Sequence, residues 1–156
     1  MCKAADAAMA MVNLSIEMVK ECGDESYYMD FVKLHKLLYL AQCSMLAQYG
    51  QTMYDEKVTA HQCGPYVEGI HFIPHERGFG RIESPFDERA FVRPSYRRMK
   101  VIRQILEAFG GESTEDLIQR TKETLAYCAV ADLIGEHDEP EILPALMRQN
   151  VIQSVS

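Results

Sequence analysis

Residues 31–49 form the most apolar stretch of the sequence, and they restrict the possible folds more than any other segment. Their apolar side chains recur at spacings of three and four, the pattern of one helical face, at Phe31, Leu34, Leu37, Leu38, Ala41 and Met45. Further apolar residues extend this face nearly all round, so we expect neighbouring elements to enclose the helix. Asp30 can cap its start, and Gly50 can end it in a left-handed conformation. The chain is therefore predicted to be built around a buried central helix.

Helical patterns also occur on both sides of this segment. Apolar stripes at helical spacing predict helices over residues 4–20, 94–109, 114–128 and 142–149. Ser113 can cap the third of these. Residues 135–140 are acidic and interrupt the pattern. Together these patterns predict a mainly α-helical fold with at most a small hairpin or extended connectors. We expect it to form a single compact domain over residues 1–156.

The middle of the sequence is predicted to hold less helix. Two segments after residue 50 are too short for helices and fit extended connectors or a small hairpin around Asp55 and Glu56. Gly64 and Pro65 predict the start of a new helix, because proline suits the first helical position. Residues 76–92, with two glycines and scattered charges, predict a long loop containing a short helical turn.

Charge and cysteine content favour some classes of protein over others. A net charge of −7 opposes attraction of the whole protein to nucleic acid or to an anionic membrane. No apolar run approaches the length of a transmembrane helix. The five cysteines are an odd number without a CxxC pair, which fits reduced thiols better than a disulfide framework. We therefore expect a cytoplasmic protein.

One region carries residue types that bind metals or act as nucleophiles, namely His61, Cys63, His71 and His75. His71 and His75 would share a face of an unbroken helix, but Pro74 between them disrupts that geometry. Cys63 at the start of a helix could have a lowered thiol pKa, with His35 or His61 as its base. No protease or acyltransferase signature supports this arrangement. A metal- or cysteine-dependent hydrolase is therefore the alternative, while no catalytic residue, metal or cofactor is predicted.

Basic residues cluster between positions 93 and 103. Arg93, Arg97 and Lys100 are expected to share one face of the predicted helix, opposite its apolar stripe. Such a patch can meet an acidic protein partner or phosphates, and a solvated helix face is the other interpretation. No glycine-rich phosphate loop accompanies the patch. We therefore do not expect nucleic acid to be the partner.

Polar side chains also lie within the apolar central helix. Tyr39 and Gln42 should find hydrogen-bond partners when buried, and backbone groups of residues 61–66 are the expected partners. These bonds would either specify the fold or build a recognition groove at the junction.

The order of short motifs over residues 30–68 resembles that of the Panacea domain family, also described as SocA-like antitoxins or phage-associated GepA-type domains. The sequence has KLHKLLYLAQ at 33–42, a glycine at 50, MYDE at 53–56 and AHQCGPYV at 60–67. The family pattern is KLQKLLYFAQ, a glycine, LFDE and EAWxYGPV. The family often has tryptophan where His61 stands and an aromatic residue where Cys63 stands. The family also carries a Thr-His pair followed by Pro-Trp. Thr121-Lys122 corresponds to the first pair, and the Pro-Trp pair is absent from this sequence.

The resemblance implies a non-enzymatic function. Such domains occur as antitoxins on prophages and other mobile elements, and they neutralise a cognate protein toxin by direct binding. The family includes a proteolytic adaptor that delivers its toxin to the ClpXP protease. The resemblance assigns seven positions of this sequence to the motif or to partner binding, and we call them the motif residues. They are Lys36, Tyr39, Gln42, His61, Gly64, Pro65 and Tyr66.

Overall fold

The computed structural model describes residues 2–150, so the predicted domain extends beyond it at residue 1 and residues 151–156. The helices are α1 Ala4–Cys22, α2 Phe31–Tyr49, α3 Phe72–Arg77, α4 Tyr96–Phe109, α5 Thr114–Lys122, α6 Leu125–Cys128 and α7 Pro144–Met147. The strands are β1 Val58–His61, β2 Gly64–Val67 and β3 Glu141–Ile142. Single 3₁₀ turns cover Glu25–Tyr27, Glu88–Ala90 and Ala131–Leu133. The fold is mainly helical, as predicted.

Helix α2 is the buried centre of the fold. It has the predicted bounds and the predicted ends: the Asp30 carboxylate accepts the Lys33 N–H at 2.8 Å, and Gly50 has a φ of 66°. Every residue from 33 to 46 is buried. Because α1, α4, α5, α7 and β2 all pack against α2, the helix is enclosed rather than laid on a surface.

The predicted helix over residues 114–128 is divided in the structure. Helix α5 ends at Lys122 and α6 begins at Leu125, with Thr124 extended between them. The Thr124 hydroxyl donates to the Thr121 carbonyl at 2.7 Å and lies 2.6 Å from the Tyr39 hydroxyl. Such side-chain bonds compete with the helical backbone pattern, which accounts for the break.

The structure contains a three-stranded antiparallel sheet, which has one strand more than the predicted small hairpin. Its strand order is β2-β1-β3, and its hairpin turn lies at Gln62 and Cys63 rather than at Asp55 and Glu56. Strand β3 pairs with β1 through Val58 and Ile142, which are far apart in sequence. The fold is therefore a helical one that includes a small sheet.

The prediction of a helix starting at Gly64 and Pro65 is wrong, because these residues open strand β2. This strand lies at an edge of the sheet, where proline is tolerated. Ala60, the partner of Pro65, donates its N–H to the Pro140 carbonyl at 2.8 Å on the opposite side. The missing N–H of Pro65 would point away from β1, so the ladder loses no bond.

The segment between α3 and α4 is a long loop with one 3₁₀ turn, as predicted, and it is fastened to α1. Asn13 donates through Nδ2 to the Phe86 carbonyl at 2.9 Å and accepts the Phe86 N–H at 2.8 Å. The Asp6 carboxylate accepts the Val92 N–H at 3.0 Å. The Arg77 guanidinium lies 4.1 Å from the centre of the Phe86 ring. These bonds hold the loop in one position.

We expect Asn13→Ala to lower the free energy of unfolding by about 1–3 kcal/mol, since it leaves two backbone groups of Phe86 without partners. Hydrogen exchange of the 78–92 amides should accelerate more than that of α2. The control is Glu17→Ala, one turn further along α1 at an exposed position. Equal exchange in the two variants would show that the Asn13 bonds do not hold the loop.

Within the described range, residues 2–150, no helix has both the length and the apolar character needed to cross a lipid bilayer.

Candidate functional site

Two consecutive residues of α2 bind the outer edge of β2. The Val67 N–H donates to His35 Nδ1 at 2.9 Å, and Lys36 Nζ donates to the Pro65 carbonyl at 2.9 Å. Pro65 and Val67 are alternate residues of β2, so the Pro65 carbonyl and the Val67 N–H both point away from β1. His35 and Lys36 therefore take the place of a further strand and fix the hairpin on α2.

Burial sets the ionisation of this pair. Burial first, then the neighbouring Lys36 charge, lowers the pKa of His35 to about 2. Because Nδ1 accepts the Val67 N–H, the neutral ring carries its proton on Nε2. That Nε2 atom is buried and has no hydrogen-bond partner among the described residues. Burial also lowers the pKa of Lys36 to about 8, and the nearby Cys63 opposes this shift.

Tyr66 lies among three histidine rings. It stacks on His35 with the ring centres 3.6 Å apart and the planes 24° apart. The His61 and His71 ring centres lie 4.6 Å and 5.1 Å from that of Tyr66. Its hydroxyl lies 3.3 Å from His71 Nδ1. Burial, together with the nearby Glu139 charge, raises the pKa of the Tyr66 phenol. Tyr66 is thus held as a partly exposed aromatic surface.

An open groove of about 490 Å³ lies beside this cluster. We call it the hairpin groove; it is bounded by the start of α2, the hairpin from His61 to Tyr66, and residues 134–139. His35 and Lys36 line it, and Val32 and Ile134 contribute apolar surface. Where the hairpin approaches α2, Gly64 has a φ of 103°, and a Cβ there would lie 3.2 Å from Lys36 Cε and from Thr121 Oγ1. Both the positive φ and this close approach favour glycine at position 64.

Contrary to the prediction, Tyr39 and Gln42 of α2 do not bond to residues 61–66. The Tyr39 hydroxyl lies 2.6 Å from the Thr124 hydroxyl and accepts from Asn150 Nδ2 at 2.9 Å. Gln42 donates to the Tyr54 carbonyl at 3.1 Å and accepts the Met53 N–H at 2.5 Å. Their partners come from other segments because the hairpin contacts α2 earlier along the helix, at His35 and Lys36. Both residues therefore stabilise the core and do not reach the groove.

The motif residues consequently divide into two sets. Those buried inside the protein are Lys36, Tyr39, Gln42, Gly64 and Pro65. His61 and Tyr66 are partly exposed and line the hairpin groove. Within the first set, Lys36 lines the groove and Gly64 lies against it, whereas Tyr39 and Gln42 belong to the core. The second set is available to a ligand.

The arrangement of these residues does not favour the alternative of a metal- or cysteine-dependent hydrolase. Cys63 is exposed in the hairpin turn and does not lie at a helix N-terminus, the position that the nucleophile alternative required. His61 Nε2 lies 3.1 Å from the Thr59 hydroxyl and 3.5 Å from Glu139. Across residues 2–150, histidine, cysteine and carboxylate side chains do not converge in threes or more as a metal ion would require.

The predicted basic patch is divided as well, because α4 begins at Tyr96 and Arg93 precedes it. Arg93 and Lys100 line a second groove of about 320 Å³ between α1 and α4, together with the acidic side chains of Glu17 and Glu88. Arg97 instead stacks over Tyr49, 4.5 Å from the ring centre. The three cations therefore do not form one surface.

Two contributors to the site were not identified as such from the sequence. The sequence-based prediction gives His35 only a role as a base, although a polar residue within an apolar helix indicates a specific partner. It gives residues 135–140 only as an acidic break, although clustered acidic residues such as Glu136, Asp138 and Glu139 can mark an interaction segment.

Comparisons with protein-family models, with curated proteins and with solved structures find no match to this chain.

Proposed function

We propose that the protein is an antitoxin-type interaction domain that neutralises a partner toxin by direct binding at the hairpin groove. The observation that carries the proposal is that three of the motif residues, Lys36, His61 and Tyr66, line this one open groove. Lys36 and Gly64 shape its inner wall, while His61 and Tyr66 present their rings to it. The proposal thus rests on the motif order in the sequence and on the groove beside it.

The chemistry of the groove suits recognition of a protein segment. Tyr66 offers a rigid amphipathic ring, and tyrosine is enriched among the residues that dominate binding energy at interfaces. Val32, 37% exposed, adds apolar surface beside it. His35 holds the Tyr66 ring in place by stacking, so little conformational freedom is lost on binding.

The test is co-expression with the product of the adjacent open reading frame. We expect the neighbour to arrest growth when expressed alone, the present chain to restore growth, and the two proteins to purify as a complex. Tyr66→Ala should weaken the complex about 30-fold or more, the size of an interface hot spot. Tyr96→Ala is the matched control, since Tyr96 is 88% exposed and lies in the other groove. A harmless neighbour that forms no complex would contradict the proposal.

The same cells distinguish the two ways in which an antitoxin can act. A simple inhibitor leaves the amount of toxin unchanged, whereas an adaptor for a ClpXP-type protease lowers it. The toxin level should be followed after synthesis is stopped, in cells with and without that protease. A toxin half-life that depends on both the protease and this chain would assign adaptor activity.

A further inference from the structure

One side of the hairpin groove is strongly acidic. Glu136, Asp138 and Glu139 are exposed and line it, and we call them the acidic rim. Glu139 lies 3.5 Å from His61, while neither Glu136 nor Asp138 has a Lys or Arg within ion-pair distance in the part of the chain described. The rim belongs to a protein whose net charge is already −7. Its potential therefore attracts cations and repels phosphates and carboxylates.

The floor of the groove provides an independent indication of a ligand. His35 lines the groove, is 0% exposed, and leaves its Nε2 atom without a partner. Since Nδ1 accepts the Val67 N–H, this Nε2 carries a hydrogen and acts as a donor. Buried donors are nearly always satisfied in folded proteins, so an unpaired one beside an open groove calls for an acceptor. A peptide carbonyl is an uncharged acceptor that the acidic rim would not repel.

Between the floor and the rim lies the aromatic wall. Tyr66 presents a partly exposed ring there, flanked by His61. An Arg or Lys side chain can place its apolar stem against such a ring and its charge over or beyond the ring face. The rim carboxylates would then lie close to the positive charge of that Arg or Lys side chain.

We infer that the hairpin groove receives an extended basic segment of the partner protein. In this arrangement, an Arg or Lys side chain of the segment lies between Tyr66 and the acidic rim. A backbone carbonyl accepts the His35 Nε2–H, which is fully buried in the free protein and becomes reachable only when the floor of the groove opens on binding. The inference rests on the proposed function in that it names the chemical character of the surface by which the toxin is held. A nucleic acid or an acidic peptide is the wrong occupant, because the rim repels it.

The test is an NMR titration of the full ¹⁵N-labelled chain with two capped pentapeptides, acetyl-Ala-Arg-Ala-Arg-Ala-amide and its counterpart with Glu in place of Arg. The Arg peptide should shift the amide signals of Gln62, Cys63 and Gly135 and the His35 Nε2–H signal. The Glu peptide should leave them unchanged. Binding should weaken as salt is added, since the rim is exposed.

Charge-neutralising variants locate the interaction. The triple variant E136Q/D138N/E139Q should raise the Kd for the Arg peptide about tenfold. The control E21Q/E83Q/E115Q removes the same net charge from exposed positions outside the groove lining and should change the Kd less than twofold. An equal effect of both triples, or equal binding of the two peptides, would overturn the inference.

The outcomes separate this inference from the proposed function, because the peptide experiment needs no toxin. A toxin complex that forms but is insensitive to the rim triple, with no binding of the Arg peptide, overturns the inference and leaves the antitoxin proposal standing. Binding of the Arg peptide in the groove, without any complex or neutralisation of the neighbouring gene product, supports the basic-ligand site and refutes the antitoxin proposal.

Discussion

Gln42→Leu is expected to lower the free energy of unfolding by about 2–6 kcal/mol. Its amide donates to the Tyr54 carbonyl at 3.1 Å and accepts the Met53 N–H at 2.5 Å, inside the protein. Leucine is close to glutamine in size, so the main change is the loss of two buried hydrogen bonds. Each backbone group left unsatisfied costs about 1–3 kcal/mol. The segment after Gly50 should then detach from α2 first.

Gln48→Leu is the matched control for this prediction. Gln48 lies on the same helix but is exposed, and its amide bonds to the side chains of Ser44 and Gln104. Its replacement should change the free energy of unfolding by less than about 0.5 kcal/mol. Urea denaturation followed by circular dichroism measures both variants. Similar losses in the two would show that the Gln42 bonds do not fasten residues 53–54 to α2.

Stability should fall steeply with acidification because of His35. In the folded protein the pKa of His35 is lowered to about 2, against 6.5 for the free side chain. Below pH 6.5 the unfolded chain therefore binds a proton that the folded chain does not, which favours unfolding. The stabilisation is complete above that pH and is lost as the pH falls toward 2, by about 1.4 kcal/mol per pH unit. Between pH 7 and pH 4.5 the loss should reach about 2–3 kcal/mol.

The measurement compares His35→Gln with the natural chain across this pH range. Glutamine can still accept the Val67 N–H but does not titrate, so the variant should lack this part of the slope. The variant will be less stable overall, and the informative quantity is therefore the difference in slope. His75→Gln, at an exposed position of α3, should keep the full slope. Parallel stability curves for the natural chain and His35→Gln would refute the assignment.

The central helix could be predicted from the sequence because its signals are local. Asp30 and Gly50 act on backbone groups within a few residues, and the apolar spacing is a property of the segment itself. The bounds of α2 agree with the prediction for this reason. The same holds for Ser113, whose hydroxyl accepts the Asp116 N–H at 3.1 Å.

The hairpin could not be predicted from such local signals. Proline next to glycine favours a helix start when only neighbours are considered. Whether Pro65 can lie in a strand depends on the edge position of β2, and on Lys36 and His35 meeting that edge. Strand β3 is two residues long, too short to give an alternating pattern.

The candidate site was predictable only in part, for a related reason. His61 and Tyr66 are neighbours in one motif, so the sequence brings them together. The opposite side of the groove comes from residues 134–139, and only the folded chain shows that they face the hairpin. The bond between Asn150 and Tyr39 could not be predicted either, because the two residues are 111 positions apart in the sequence.

The two sides of the hairpin groove are separated by about seventy residues of chain, and this spacing has a kinetic consequence. A nascent polypeptide released only as far as α5 would possess the aromatic wall but not the acidic rim. Contacts between distant segments form late, because closing a long loop costs entropy before any contact repays it. Under the proposed function, neutralising capacity would therefore arise only after residues 134–139 have been synthesised and have reached the hairpin. An interrupted or clipped chain would then leave its target unrestrained.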